Sequence, residues 1–105
     1  MPNHGASLQS PLRLHLVVRG RVQGVGFRAW AAHAAADLGL SGYIRNHPDG
    51  DRIEAEAQGA PEAVRHFAQL LQHGPPLAHV LSVEAKPVPA RPSPTAMGPS
   101  FVIRH

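Results

Sequence analysis

What most constrains the fold of this chain is the order in which its apolar periodicities change. Leu12, Leu14, Leu16 and Val18 alternate with Arg13, His15, Val17 and Arg19, the period-two pattern of a strand with one buried face. A glycine-punctuated loop follows from Gly20 to Gly26, and then an alanine-rich helix from about Arg28 to Leu38, stopped by Gly39 just past its end. Gly42 to Arg45 is short and β-compatible. The turn signal Asn46-His47-Pro48-Asp49-Gly50 separates it from a second alternation, in which Ile53, Ala55 and Ala57 alternate with Glu54, Glu56 and Gln58. Together these read as a hairpin. A second helix opens near Pro61-Glu62, carries Val64, Phe67, Ala68 and Leu71 at core-facing spacing, and ends at Gly74-Pro75-Pro76. His79 to Ala85 alternates again as a fourth strand. Lys86 to Pro99, with prolines at 87, 89, 92, 94 and 99, reads as an extended loop, and Phe101 to Arg104 closes the chain as a short edge strand.

This order, β-α-β-β-α-β with a terminal strand, predicts an α+β fold, the split βαβ arrangement of ferredoxin-like α/β sandwiches. It implies an antiparallel sheet with both helices on one face and a short extra C-terminal strand. Right-handed crossovers make the first and second strands parallel, with the third between them. The loop after the first strand (20–27) and the turn after the second (46–51) therefore emerge at one end of the sheet. Residues 1–10 read as a flexible lead-in and 11–105 as a single domain, since 105 residues support one core. A domain of this size leaves room for a shallow surface site rather than a buried cavity.

Composition narrows the chemistry. The absence of cysteine excludes disulfides, thiolate metal sites and a cysteine nucleophile. No stretch approaches the roughly 20 apolar residues of a membrane span, and Met1 to Ser10 lacks the basic start and apolar run of a secretory signal. A soluble cytoplasmic protein is expected. The net charge of +3 comes from ten Lys and Arg against seven Asp and Glu. The arginines are scattered, which points away from nucleic acid, but a modest positive field suits a small phosphorylated anion. The eight histidines, at 4, 15, 33, 47, 66, 73, 79 and 105, form no HExxH and no close ligand pair, so no metal and no cofactor is expected. His33 and His66 read as solvent-facing helical residues, and Phe27 and Trp30 as packing. No feature specifies pairing of subunits, and a monomer is expected.

The first loop has chemistry of its own. In Arg21-Val22-Gln23-Gly24-Val25-Gly26-Phe27-Arg28 the two inner glycines permit positive φ, so successive N–H groups can converge as an anion-binding nest. The helix start behind them adds unpaired N–H groups and the positive end of a dipole. Arg28 stands at that terminus, where a cation is unfavourable unless an anion is bound. Other readings compete: glycines in a strand-to-helix loop are commonly plain turn chemistry. Gly24-x-Gly26-x-x-Ala29 formally matches a dinucleotide fingerprint, but Asn46 stands where the second strand should end in an acid. No Gly-Lys-Ser/Thr follows for a Walker A loop, and the aromatics of an RNA-recognition motif are missing. Asn46 is equally a natural opener for a Pro-Asp-Gly turn.

The run Val18-Arg19-Gly20-Arg21-Val22-Gln23-Gly24-Val25-Gly26-Phe27-Arg28 resembles the signature of the acylphosphatase family. Gly42-Tyr43-Ile44-Arg45-Asn46, with Asp49-Gly50 and Ile53-Glu54, resembles its second signature. Gln58-Gly59, Gly74-Pro75-Pro76 and Phe101-Val102-Ile103-Arg104 extend the likeness over about residues 12–105. The resemblance implies a ferredoxin-like fold and metal-independent hydrolysis of acyl phosphates to a carboxylate and inorganic phosphate. It also implies that Arg28 is the phosphate-binding arginine, that the backbone of Val22, Gln23, Gly24, Val25, Gly26 and Phe27 forms the phosphate loop, and that Asn46 positions the water. The segment from Lys86 to Pro99 is longer and richer in proline than the family pattern, and His47 and Asp51 carry no assigned role. The same signature also heads hydrogenase-maturation carbamoyltransferases, whose chains continue into cysteine pairs that are absent here. A non-catalytic binding module of this fold, taking RNA or protein, is the alternative.

Overall fold

A computed structural model of the chain describes residues 10–92 and 99–105. Its elements run β1 (Leu12–Arg21), α1 (Phe27–Asp37), β2 (Ser41–Asn46), β3 (Arg52–Gly59), α2 (Pro61–His73), β4 (His79–Val88) and β5 (Phe101–Arg104). Apart from Ser10, the lead-in expected over 1–10 lies outside the described residues, as does the centre of the proline-rich segment.

The five strands order as β4-β1-β3-β2-β5. β1 pairs antiparallel with both β3 and β4, and β2 pairs antiparallel with β3. β1 and β2 are thus parallel with β3 between them, the split βαβ arrangement that the sequence predicts. β5 joins the far edge parallel to β2, with Gly42 opposite Phe101 and Arg45 opposite Arg104, so the full sheet is mixed. The direction follows from connectivity. β4 ends at the end of the sheet where β2 begins, and a chain returning from there enters β5 in the direction of β2.

β4 runs three residues past Ala85, through Lys86, Pro87 and Val88, where the sequence suggests loop. Pro87 lies opposite Leu14. A proline is tolerated there because β4 has a neighbour on one side only among the described residues, and alternate residues of an edge strand turn their N–H away from the ladder.

One face of the sheet is buried under the two helices. Leu14, Leu16, Val18, Ile44, Ile53, Ala55 and Ala57 point into it and meet Phe27, Ala31, Ala35, Val64, Phe67 and Leu71 from the helices. Each large side chain fully buried here contributes roughly 1.5–3 kcal/mol. Phe67 meets Phe101 edge-on at 5.6 Å, which fastens the short β5 to α2. Phe27 meets Trp30 edge-on at 5.5 Å, the packing role expected of both. His33 and His66 are exposed, as their helical positions suggest. The opposite face of the sheet carries the alternate set, including Arg13, His15, Tyr43, Glu54, Glu56 and Gln58, with no helix of the described residues over it.

Candidate active site

β1, β2 and β5 run in one direction, so their last residues (Arg21, Asn46 and Arg104) come to the same end of the sheet. Helix α1 starts there too. Between β1 and α1 the chain turns through Gly24 at φ 75° and Gly26 at φ 78°, the left-handed region in which other residues are strained. Gly26 is the N-cap of α1, and neither a side-chain cap nor an acidic residue serves the first turn. The N–H groups of that turn and the positive end of the helix dipole therefore have no acidic side chain of the turn beside them.

A cleft of about 260 Å³ opens at this point, lined by Val22, Gly24, Gly26, Phe27, Arg28, Ala29, Asn46, Ile103 and His105. Arg28 and Asn46, singled out separately in the sequence, thus share one cleft. Arg28 enters from the first turn of α1 and Asn46 from the last position of β2.

The Arg28 guanidinium is anchored through one nitrogen. Its Nη1 donates to the backbone carbonyl of Arg104 at 3.2 Å and lies 3.3 Å from His105 Nδ1. Among the described residues its Nε and Nη2 have no partner, which leaves one two-pronged donor edge for an anion. The Asn46 side-chain amide likewise has no hydrogen-bond partner among the described residues, and it is not sealed from solvent.

The loop residues divide into two groups. Val22, Gly24, Gly26 and Phe27 line the cleft. Val25 packs against the core. The Gln23 side chain turns toward the β2–β3 turn, where Nε2 donates to the carbonyls of His47 at 2.8 Å and Arg52 at 2.9 Å. A backbone bond from Gly20 N to Asp51 O, 3.0 Å, adds to this clasp. The loop that cradles the cleft and the turn that follows Asn46 are fixed to each other.

That turn is braced internally. His47 Nδ1 accepts the N–H of Asp49 at 3.1 Å, and Arg52 bridges Asp51 and Asp49, each at 2.9 Å. The hydrogen bond from Arg52 holds the Asp51 carboxyl below its ordinary value. These contacts give His47 and Asp51 turn-building roles that the sequence alone leaves blank. The side-chain clasp of Gln23, and Ile103 and His105 in the lining, are also additions of the structure. A single glutamine in a glycine loop carries no signal of its destination 24 residues away, and His105 offers no ligand spacing.

Comparison with known proteins shows the family and the fold. The acylphosphatase family model matches residues 14–102. The chain belongs to the acylphosphatase family. An acylphosphatase of Thermus thermophilus is 53% identical over 74 residues, which is 70% of this chain and 83% of that one. The crystal structure of the Bacillus subtilis acylphosphatase superposes with a TM-score of 0.78 at 30% identity, covering 90% of this chain and 99% of that one. The acylphosphatase from Coxiella burnetii superposes with a TM-score of 0.80 at 28% identity, covering 90% and 93% respectively. As in those acylphosphatases, two helices lie on one face of the sheet, and the ferredoxin-like fold expected from the order of elements holds. No group of three His, Asp or Glu side chains able to hold a metal ion occurs among the described residues. No helix among them is long and apolar enough to cross a membrane.

Proposed function

We propose that the chain acts as an acylphosphatase through Arg28, Asn46 and the amides of the 22–27 loop, with no metal taking part. The observation that carries this reading is the meeting of Arg28 and Asn46 in one cleft at an uncapped helix start. The substrate is a small carboxyl-phosphate anhydride. Its phosphoryl oxygens bind the free Nε–Nη2 edge of Arg28, a planar fork that lysine lacks, and the N–H groups of the loop and first helical turn. Asn46 holds one water through its amide, in line with the scissile P–O bond.

The reaction then needs little covalent help from the protein. The water oxygen forms a bond to phosphorus as the P–O bond to the acyl group breaks, and the acyl oxygen leaves with the electron pair. That leaving group is a carboxylate whose acid has a pKa of about 4, so no general acid is required. The proton of the water passes to a phosphoryl oxygen of the substrate. Carboxylate and inorganic phosphate are the products. Phosphoryl transfer of this kind is mostly positioning and charge stabilisation, which a clamped phosphate and a single oriented water can supply. All the named groups come from one chain and surround an open cleft, which fits a monomer acting on a diffusible substrate.

Steady-state hydrolysis of benzoyl phosphate with EDTA present tests this reading. Turnover should persist in the chelator, and inorganic phosphate should inhibit competitively. A folded protein that is inactive, or one silenced by EDTA and restored by zinc or magnesium, would overturn it.

A further inference from the structure

A second cleft, also of about 260 Å³, lies on the sheet face opposite the two helices. Arg13, Tyr43, Gln58, Arg91, Val102 and Arg104 form most of its lining. Neighbouring residues of a strand point to opposite faces. Ile103 therefore belongs to the cleft that holds Arg28, while Val102 and Arg104 belong to this one. Its other strand residues (Arg13, Tyr43 and Gln58) sit toward the sheet end away from Asn46, so the two clefts are separate places.

The cleft is built rather than incidental. Arg13 is only 6% exposed. Its Nε donates to Glu56 Oε1 at 2.7 Å and its Nη1 to Gln58 Oε1 at 3.2 Å. Its Nη2 has no partner among the described residues and is not sealed from solvent. Gln58 in turn fastens the Arg91 backbone over the sheet, donating to its carbonyl and accepting its N–H, both at 2.8 Å. The Arg104 guanidinium lies 4.1 Å from the centre of the Tyr43 ring. Three guanidinium groups thus converge against one carboxylate beneath them. Glu56 is paired with Arg13 at 2.7 Å and stands 4.0 Å from Arg91, which leaves a net positive wall. Val102, Pro92 and the Tyr43 ring add apolar surface. At about 30 Å³ per water, the volume equals roughly nine waters, the scale of a compact organic molecule.

We propose that this cleft binds a small planar organic anion, its carboxylate or phosphate held by Arg13 and Arg91 and its ring placed against Tyr43, Arg104 and Val102. Arginine forks suit both head groups, and a cation stacked on an aromatic ring offers a flat surface that a bare inorganic ion does not use. Arg104 also joins the two sites, since its carbonyl accepts the N–H of Arg28.

The test is an amide-resolved NMR titration of the full chain, in which shifts at Gly24–Arg28 and Asn46 report the Arg28 cleft separately from this one. Benzoate is one probe and adenosine monophosphate the other. Saturable shifts centred on Tyr43, Gln58, Arg91 and Val102 are expected with at least one of them, and the one that binds identifies the head group. Arg91 is exposed, so Arg91→Ala should stay folded and weaken binding about tenfold or more, the effect of losing a charged hydrogen bond. Tyr43→Leu should weaken it independently. The proposal is overturned if neither probe saturates. Shifts confined to Gly24–Arg28 and Asn46, or full affinity retained in both variants, would overturn it as well.

Discussion

Gln23 donates both hydrogens of its side-chain amide across the site, one to the carbonyl of His47 at 2.8 Å and the other to that of Arg52 at 2.9 Å. This one side chain ties the glycine loop to the turn that follows Asn46. The groups proposed to hold phosphate and those proposed to hold water keep their spacing because of it, and a catalyst that works by positioning depends on that spacing.

Replacing Gln23 should therefore affect chemistry more than fold. Gln23→Ala removes two hydrogen bonds worth about 0.5–1.5 kcal/mol each, a loss that thermal denaturation would register. Turnover should fall by more than phosphate affinity. Gln23→Glu keeps the size but, when ionised, cannot donate, and it should be no better than alanine. Normal kcat in the glutamate variant would remove the positioning role.

Arg28→Lys and Arg28→Ala should both lose turnover by about a hundredfold or more and weaken inhibition by phosphate, while their melting curves stay close to that of the parent. Lysine keeps the charge but lacks the free two-pronged edge left after Nη1 is anchored to Arg104. Near-normal kinetics in the lysine variant would show that charge alone suffices.

Asn46→Ala should separate binding from chemistry. Its amide has no partner among the described residues, so little structure depends on it. Turnover should drop about a hundredfold, with calorimetric phosphate affinity changed far less. Equal losses in both would make Asn46 a phosphate ligand or a turn residue.

Glu56 should give the protein a defined acid sensitivity. Burial pushes its carboxyl upward, but hydrogen bonds from Arg13 and His15 outweigh this and hold it below the ordinary value. A carboxylate lowered in the folded state contributes stability that is fully present above its unfolded pKa, about 4.3. That contribution is lost as pH falls through the lower folded value. Denaturant unfolding from neutral pH to below 4 should show this decline, and Glu56→Gln should flatten it. At neutral pH the glutamine variant leaves Arg13 nearly buried without its counter-charge. It should cost about 2–3 kcal/mol, less than a fully sealed pair because Glu56 keeps some solvent. An unchanged acid limb in Glu56→Gln would assign the sensitivity to other carboxylates.

The sequence by itself determined the elements, their order and the end of the sheet where the candidate site residues gather. Alternation in 12–19 and 53–58, helical spacing in 61–73 and glycines at 24 and 26 are local signals, and each reports a preference the backbone obeys wherever it sits. Arg28 was legible at a helix start behind a glycine loop. Asn46 read equally as a turn opener until the family resemblance implied its role, and right-handed crossover brings the two boundaries together. What only the tertiary structure decided were pairings between distant residues whose local patterns do not name a partner. The extension of β4 through Pro87 depended on its being an edge strand, a property of neighbours rather than of sequence. The reach of Gln23 to His47, the anchoring of Arg28 on Arg104 and the stacking of Arg104 on Tyr43 each join segments 20 or more residues apart. Such contacts form once packing has fixed the backbones side by side, because a flexible polar side chain takes whichever unpaired group then lies within reach.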